Sequence, residues 1–149
     1  MSSVVWGGEG VRGDGVVERD FTVQGERDAI TGVLWAPEQI PSGSPLVLIG
    51  HGGGGHKRAP SVVPTAQGFV REHGIPAVII DAPGHGDRGG AQGRSPEYYA
   101  LWSDAKRMTD DATADWTRVL TAFLDTGMFD AGRLARPVEE ALELPVVDA

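Results

Sequence analysis

The stretch Leu46-Val47-Leu48-Ile49-Gly50-His51-Gly52-Gly53-Gly54-Gly55 decides the fold. A short unbroken apolar run closed by glycine is the pattern of a strand buried on both faces, as in parallel sheets. The glycines that follow let backbone N–H groups approach a ligand with no side chain in the way. Residues 60–72 then read as a helix, with Gly74 as its stop signal. Pro76-Ala77-Val78-Ile79-Ile80-Asp81 is a second apolar strand. Strand, glycine loop, helix and strand form a βαβ unit, whose crossover should be right-handed.

Upstream, 16–23 and 29–35 are rich in β-branched and aromatic residues, with Gly25, Glu26, Arg27 and Asp28 between them as turn chemistry. They predict a β-hairpin leading into the sheet. Residues 1–15 are Gly-rich with little apolar periodicity and read as a loose, flexible leader. Downstream, 82–94 is a loop, and Ser95-Pro96-Glu97 gives an N-cap, a proline at the first helical position and an acid in the first turn. Leu101, Trp116, Val119, Leu120, Phe123 and Leu124 place helix from there to Gly127, with a break near Met108 to Asp111 as one reading. Residues 128–134 approach another strand, but 135–149 is a divergent acidic tail. The expected organisation is a leader over 1–15, a partial α/β domain over 16–134 and the tail.

The chain has 149 residues, enough for one domain with a single core, and a net charge of −8. That charge works against a sequence-independent grip on nucleic acid or on an anionic membrane surface, so neither is expected as a partner. No cysteine is present. Disulfides, thiolate metal sites and a cysteine nucleophile are therefore excluded. With no basic start before an apolar run and no stretch long enough to span a bilayer, the expected location is cytoplasmic.

Three chemistries compete for the glycine loop. A phosphate-binding Walker loop needs Gly-Lys-Ser/Thr, whereas Lys57 here lies between His56 and Arg58. A dinucleotide fingerprint matches as Gly50, Gly52 and Gly55, with Asp81 where a ribose-binding acid would sit. The third is an oxyanion-hole loop, whose N–H groups stabilise the negative oxygen of a tetrahedral acyl intermediate. His51 and His85 fall on neighbouring loops at the carboxyl ends of adjacent strands, where open α/β sheets place ligands. No His spacing supports a metal site, and none is expected; nor is a cofactor. His73 reads as a helix-end placement. Asp104, Asp110, Asp111 and Asp115 read as a solvated helix face, and Trp102 and Trp116 as packing.

The segments 46–55, Ala77-Val78-Ile79-Ile80-Asp81-Ala82-Pro83-Gly84-His85-Gly86-Asp87 and Asp115-Trp116-Thr117-Arg118-Val119-Leu120 together resemble the α/β-hydrolases, in the dienelactone-hydrolase-like branch of serine esterases and peptidases. The resemblance covers residues 16–134 and implies the N-terminal half of such a domain: an antiparallel hairpin leading into a mostly parallel sheet flanked by helices. It implies an oxyanion N–H from Gly53 with Gly52 beside it. It also implies a substrate side lined by His51, Gly54, Asp81 and His85, and a small acyl substrate.

The family's next element would be the G-x-S-x-G elbow that exposes the attacking serine. No serine here has that context, and Ser95, the nearest, reads as an N-cap. All four histidines precede the point where the elbow would come. The expectation is a truncated hydrolase, inactive alone, with the open edge of the first buried strand inviting self-association. The alternatives are a non-catalytic half-domain that pairs with a partner or itself, and a dinucleotide-binding unit.

Overall fold

The computed structural model describes residues 3–130. Its strands are β1 (Val4–Trp6), β2 (Val11–Gly13), β3 (Val16–Gln24), β4 (Ala29–Ala36), β5 (Val47–Ile49) and β6 (Ala77–Ile80). Its helices are α1 (Val63–His73), α2 (Pro96–Trp102) and α3 (Ala105–Asp125), with a 3-10 turn over Gly86–Arg88. The sheet order is β1-β3-β4-β6-β5, with β2 also paired to β3. Helix α1 connects β5 to β6, the one parallel pair among the described strands; every other pairing is antiparallel. The parallel part of the described sheet is thus this single pair; residues 131–149 lie outside the described residues.

Alternation along β4 divides the core. Ile30 and Leu34 pack with Phe21, Val78, Val119 and Phe123 beneath α3. Val33 and Trp35 pack with Ala66, Val70, Ala77 and Ile79 beneath α1. All four residues of β6 are buried, as its unbroken apolar run requires. Opposite Phe21 stands Gly32, and an added Cβ there would come within 2.3 Å of the ring. Only glycine lets the ring lie across the strand. Among the described strands β5 lies at the open end of the sheet, and it departs from the reading as a strand buried on both faces in that Leu48 is exposed. Just before it, Ser44 bridges in parallel to Phe129, and the Asp130 N–H donates to the Ser44 carbonyl at 3.3 Å.

The expectation of a loose leader does not hold. Val4–Trp6 pairs with β3, and Trp6 packs edge-to-face on Phe21 and Phe123 with the Arg19 guanidinium 4.5 Å from its ring. β2 joins β3 through Asp14-Gly15, both at positive φ (53° and 76°), the two-residue hairpin turn that matches strand twist.

Helix ends follow local chemistry. Gly74, at φ 63°, closes α1, its N–H donating to Val70 and that of Ile75 to Phe69. Ser95 caps α2 by accepting from the Tyr98 N–H. The break between α2 and α3 falls at Ser103 and Asp104, not near 108–111, because the Asp104 carboxylate accepts from the Arg107 N–H and starts a new helix. Along the exposed side of α3, Thr109, Thr113, Thr117 and Thr121 each donate to the carbonyl four residues earlier at 2.9 Å. Among the described residues no helix is long and apolar enough to cross a membrane.

Candidate functional site

The loops after β5 and β6 meet at the carboxyl end of the sheet and brace each other. The Ala82 N–H donates to His51 Nε2 at 3.0 Å, and the Gly54 N–H donates to His85 Nε2 at 3.0 Å. Each ring's Nδ1 lies against a neighbouring carbonyl, Gly52 at 2.8 Å for His51 and Pro83 at 3.0 Å for His85. The pattern assigns both as neutral imidazoles protonated on Nδ1. Their rings sit 5.2 Å apart. No ring nitrogen is left for a substrate proton, so both histidines hold the loops together instead of contacting substrate as expected.

A third link is stronger. Asp81 is fully buried and accepts from the Lys57 N–H at 2.8 Å, Lys57 Nζ at 2.7 Å, Thr31 Oγ1 at 2.6 Å and the Asp87 N–H at 3.2 Å. Burial pushes its pKa up, but the bonds from Lys57 and Thr31 outweigh that and hold the carboxyl below the usual range. Lys57 is buried too; desolvation works against its charge, yet Asp81 and Asp87 keep its pKa raised. The expectation that Asp81 faces substrate is therefore corrected: both its oxygens are already occupied inside the fold. The same fact removes the ribose-binding acid from the dinucleotide reading. Lys57, passed over in sequence as a misplaced phosphate-binding lysine, is the centre of this cluster.

Arg88 clamps the other side of the second loop. It grips Asp28 in the β3–β4 turn with two bonds (3.0 and 2.8 Å), Asp115 of α3 at 2.7 Å and the Asp81 carbonyl at 3.0 Å. Asp115 is thus buried and not part of a solvated face; burial raises its pKa against the pull of Arg88. Asp104, Asp110 and Asp111 do lie at the surface, as a cap and in exposed pairs with Lys106, Arg107 and Arg27.

Of the glycines, Gly54 has its N–H taken by His85 and its carbonyl taken by the Gly93 N–H at 3.3 Å, so it too is framework and not a substrate contact. Gly52 and Gly53 are exposed, and among the described residues their N–H groups make no hydrogen bond. Tyr98 of α2 lies against Gly53: an added Cβ there would be 2.9 Å from the phenolic oxygen. Two open cavities, of about 400 and 460 Å³, flank the braced loops. One runs between Asp28, Pro83, Leu101 and Met108, the other between Trp6, Asp20, Arg58 and Asp87; neither is lined by 52–55. Among the described residues no cluster of three or more acids and histidines could hold a metal ion.

The His51 brace carries a pH dependence. Burial is the main cause that lowers the His51 pKa, and the nearby His85 adds to it, against the raising effect of Gly52 and Asp81. The unfolded chain, with an ordinary imidazole near about 6.5, therefore binds the proton first. Stability is complete above that value and is lost as pH falls towards the depressed folded value. Urea unfolding at about pH 8 and about pH 5.5 is expected to show a lower midpoint in acid, and His51→Gln to flatten the difference. Equal midpoints in the parent protein would mean that His51 is not held neutral.

No protein-family model and no curated protein matches the sequence. Solved structures do. A PEG-bound cold-adapted esterase from an Arctic intertidal metagenomic library matches with 31% identity and a TM-score of 0.68, over 83% of this chain and 51% of that one. The chain carries the N-terminal half of an α/β-hydrolase fold. Acetyl xylan esterases from Thermoanaerobacterium sp. (17% identity, TM-score 0.63, 87% of this chain and 42% of that) and Paenibacillus sp. R4 (19%, 0.61, 89% and 43%) share the fold. The chain thus spans about half the length of the esterases it matches. Among its described residues no serine hydroxyl is hydrogen-bonded to a histidine; Ser44, Ser95 and Ser103 bond only to backbone.

Proposed function

We propose that this chain supplies the oxyanion-hole side of a serine-dependent ester hydrolase, with a small acyl compound as substrate. The observation that carries the reading is the Gly53 N–H. It stands exposed and unpartnered at the carboxyl end of the sheet, while the residues on either side are fixed by His51, His85 and the Lys57–Asp81 pair. A donor held in place by its surroundings stabilises a developing oxyanion without reorganising. The esterase match at 31% identity supports the same chemistry.

Within 3–130 the attacking group and its base are not assembled, and the second oxyanion N–H in such hydrolases follows the nucleophile. Even a complete hole without a nucleophile leaves only about 10³–10⁴ over water. The 149-residue chain alone is therefore expected neither to be labelled by a fluorophosphonate nor to turn over an activated short-chain ester above a denatured control. Burst kinetics that Ser95→Ala abolished would sink this reading, by making a nucleophile of a serine that caps a helix.

A further inference from the structure

We propose that Tyr98 is a substrate-contacting residue, its phenolic hydroxyl a second donor beside the Gly53 N–H and its ring a wall that limits the acyl group to a short chain. The inference rests on the oxyanion reading of Gly53 and deepens it.

The start of α2 is fastened over the glycine loop, with the Gly93 N–H on the Gly54 carbonyl and Ser95 capping the helix. Tyr98 follows one turn later, and its ring lies on Gly53: an added Cβ there would be 2.9 Å from the hydroxyl oxygen and 3.0 Å from Cε2. The ring cannot swing freely, since Tyr99 and Trp102 pack edge-to-face against it with centroids 5.5 and 6.1 Å away. Tyr98 is half-buried, yet among the described residues its hydroxyl makes no hydrogen bond. Among the described residues no buried side-chain oxygen lacks a partner, so this hydroxyl is open to solvent and available to a ligand. The phenolic hydroxyl and the Gly53 backbone thus lie side by side, and together they would supply hydrogen-bond donors to a carbonyl oxygen that gains charge during reaction. Lys57 and Arg88 are committed to carboxylates. Because the phenol occupies the room directly over Gly53, a longer acyl chain must displace it.

The test uses the 149-residue chain labelled with nitrogen-15, sodium acetate as the short probe and sodium hexanoate as the long one, with the Gly53 amide resonance as readout. Acetate is expected to shift that resonance with several-fold higher affinity than hexanoate. Tyr98→Phe, which keeps the ring contacts, should weaken acetate about tenfold, as loss of one hydrogen bond to a charged group implies. Tyr98→Ala should narrow the gap between the two acids, and Tyr99→Phe should change neither. Unaltered acetate affinity in Tyr98→Phe, or equal affinity for the two acids in the parent protein, overturns the role of Tyr98 and leaves the oxyanion reading standing. A Gly53 resonance that neither acid moves in the parent protein overturns that reading, and the inference with it.

Discussion

Replacing Lys57 by methionine is expected to cost about 3–5 kcal/mol of folding stability, the usual result of leaving a buried charge without its partner. Asp81 has no exposure at all, and the lysine side chain only 9%. Thr31 and two backbone N–H groups would remain on the carboxylate, but none carries a charge. Against a total of about 5–15 kcal/mol for a domain, the loss is large. The other ion pair of Lys57 behaves differently, because the Asp87 side chain is 74% exposed. Asp87→Ala should cost no more than about 1 kcal/mol. Urea unfolding of the two variants checks both statements. Adding Asp81→Asn to Lys57→Met should recover part of the loss, and a Lys57→Met protein as stable as its parent would show that the cluster does not hold the loops.

Gly86→Ala is expected to be comparably damaging, while the same exchange at Gly68 should help. A Cβ on Gly86 would lie 2.2 Å from Asp81 Oδ1, and the backbone there has φ 54°. The left-handed conformation alone costs about 1–2 kcal/mol for a residue with a side chain. The collision adds to this, since it pushes the carboxylate away from Lys57; a total loss above about 3 kcal/mol follows if that pair is broken. Gly68 sits inside α1 with nothing within 4 Å of an added Cβ, so alanine should stabilise by about 0.5–1 kcal/mol. Opposite signs in one set of thermal unfolding curves are the expected outcome. A neutral Gly86→Ala would mean that the second loop tolerates a different path.

The central strands and their glycine loop were legible because a run such as 77–80 has only one place in an α/β sheet, between neighbours on both sides. The caps at Ser95 and Gly74 were legible for a similar reason, being local chemistry acting over three or four residues. What escaped was non-local. Lys57 and Asp81 are 24 residues apart, and Arg88 and Asp28 are 60 apart, distances over which no periodicity operates. Asp115 was misread although a signal existed. It stands four and eight positions before Val119 and Phe123, on the buried stripe of α3, where a lone acid implies a buried cation. The first strands escape a reading of the sequence because three residues are too few to show alternation, and the Asp14-Gly15 turn that announces a hairpin is hidden in a Gly-rich stretch. At the site, the resemblance singled out Gly53, but nothing local in the sequence shows that Gly54, His51, Asp81 and His85 are tied by hydrogen bonds into a frame around it.

The row of threonines on α3 alters what that helix presents to water. A hydropathy scale counts Thr109, Thr113, Thr117 and Thr121 as polar, yet each hydroxyl proton is turned inward onto a carbonyl of the helix's own backbone. These threonines recur one every four residues, or about 6 Å along the axis. Solvent along this line therefore meets threonines whose hydroxyl protons are already used, beside charged neighbours such as Lys106 and Asp110. A surface that looks hydrophilic in sequence thus offers water the acceptor oxygens of these threonines but not their protons.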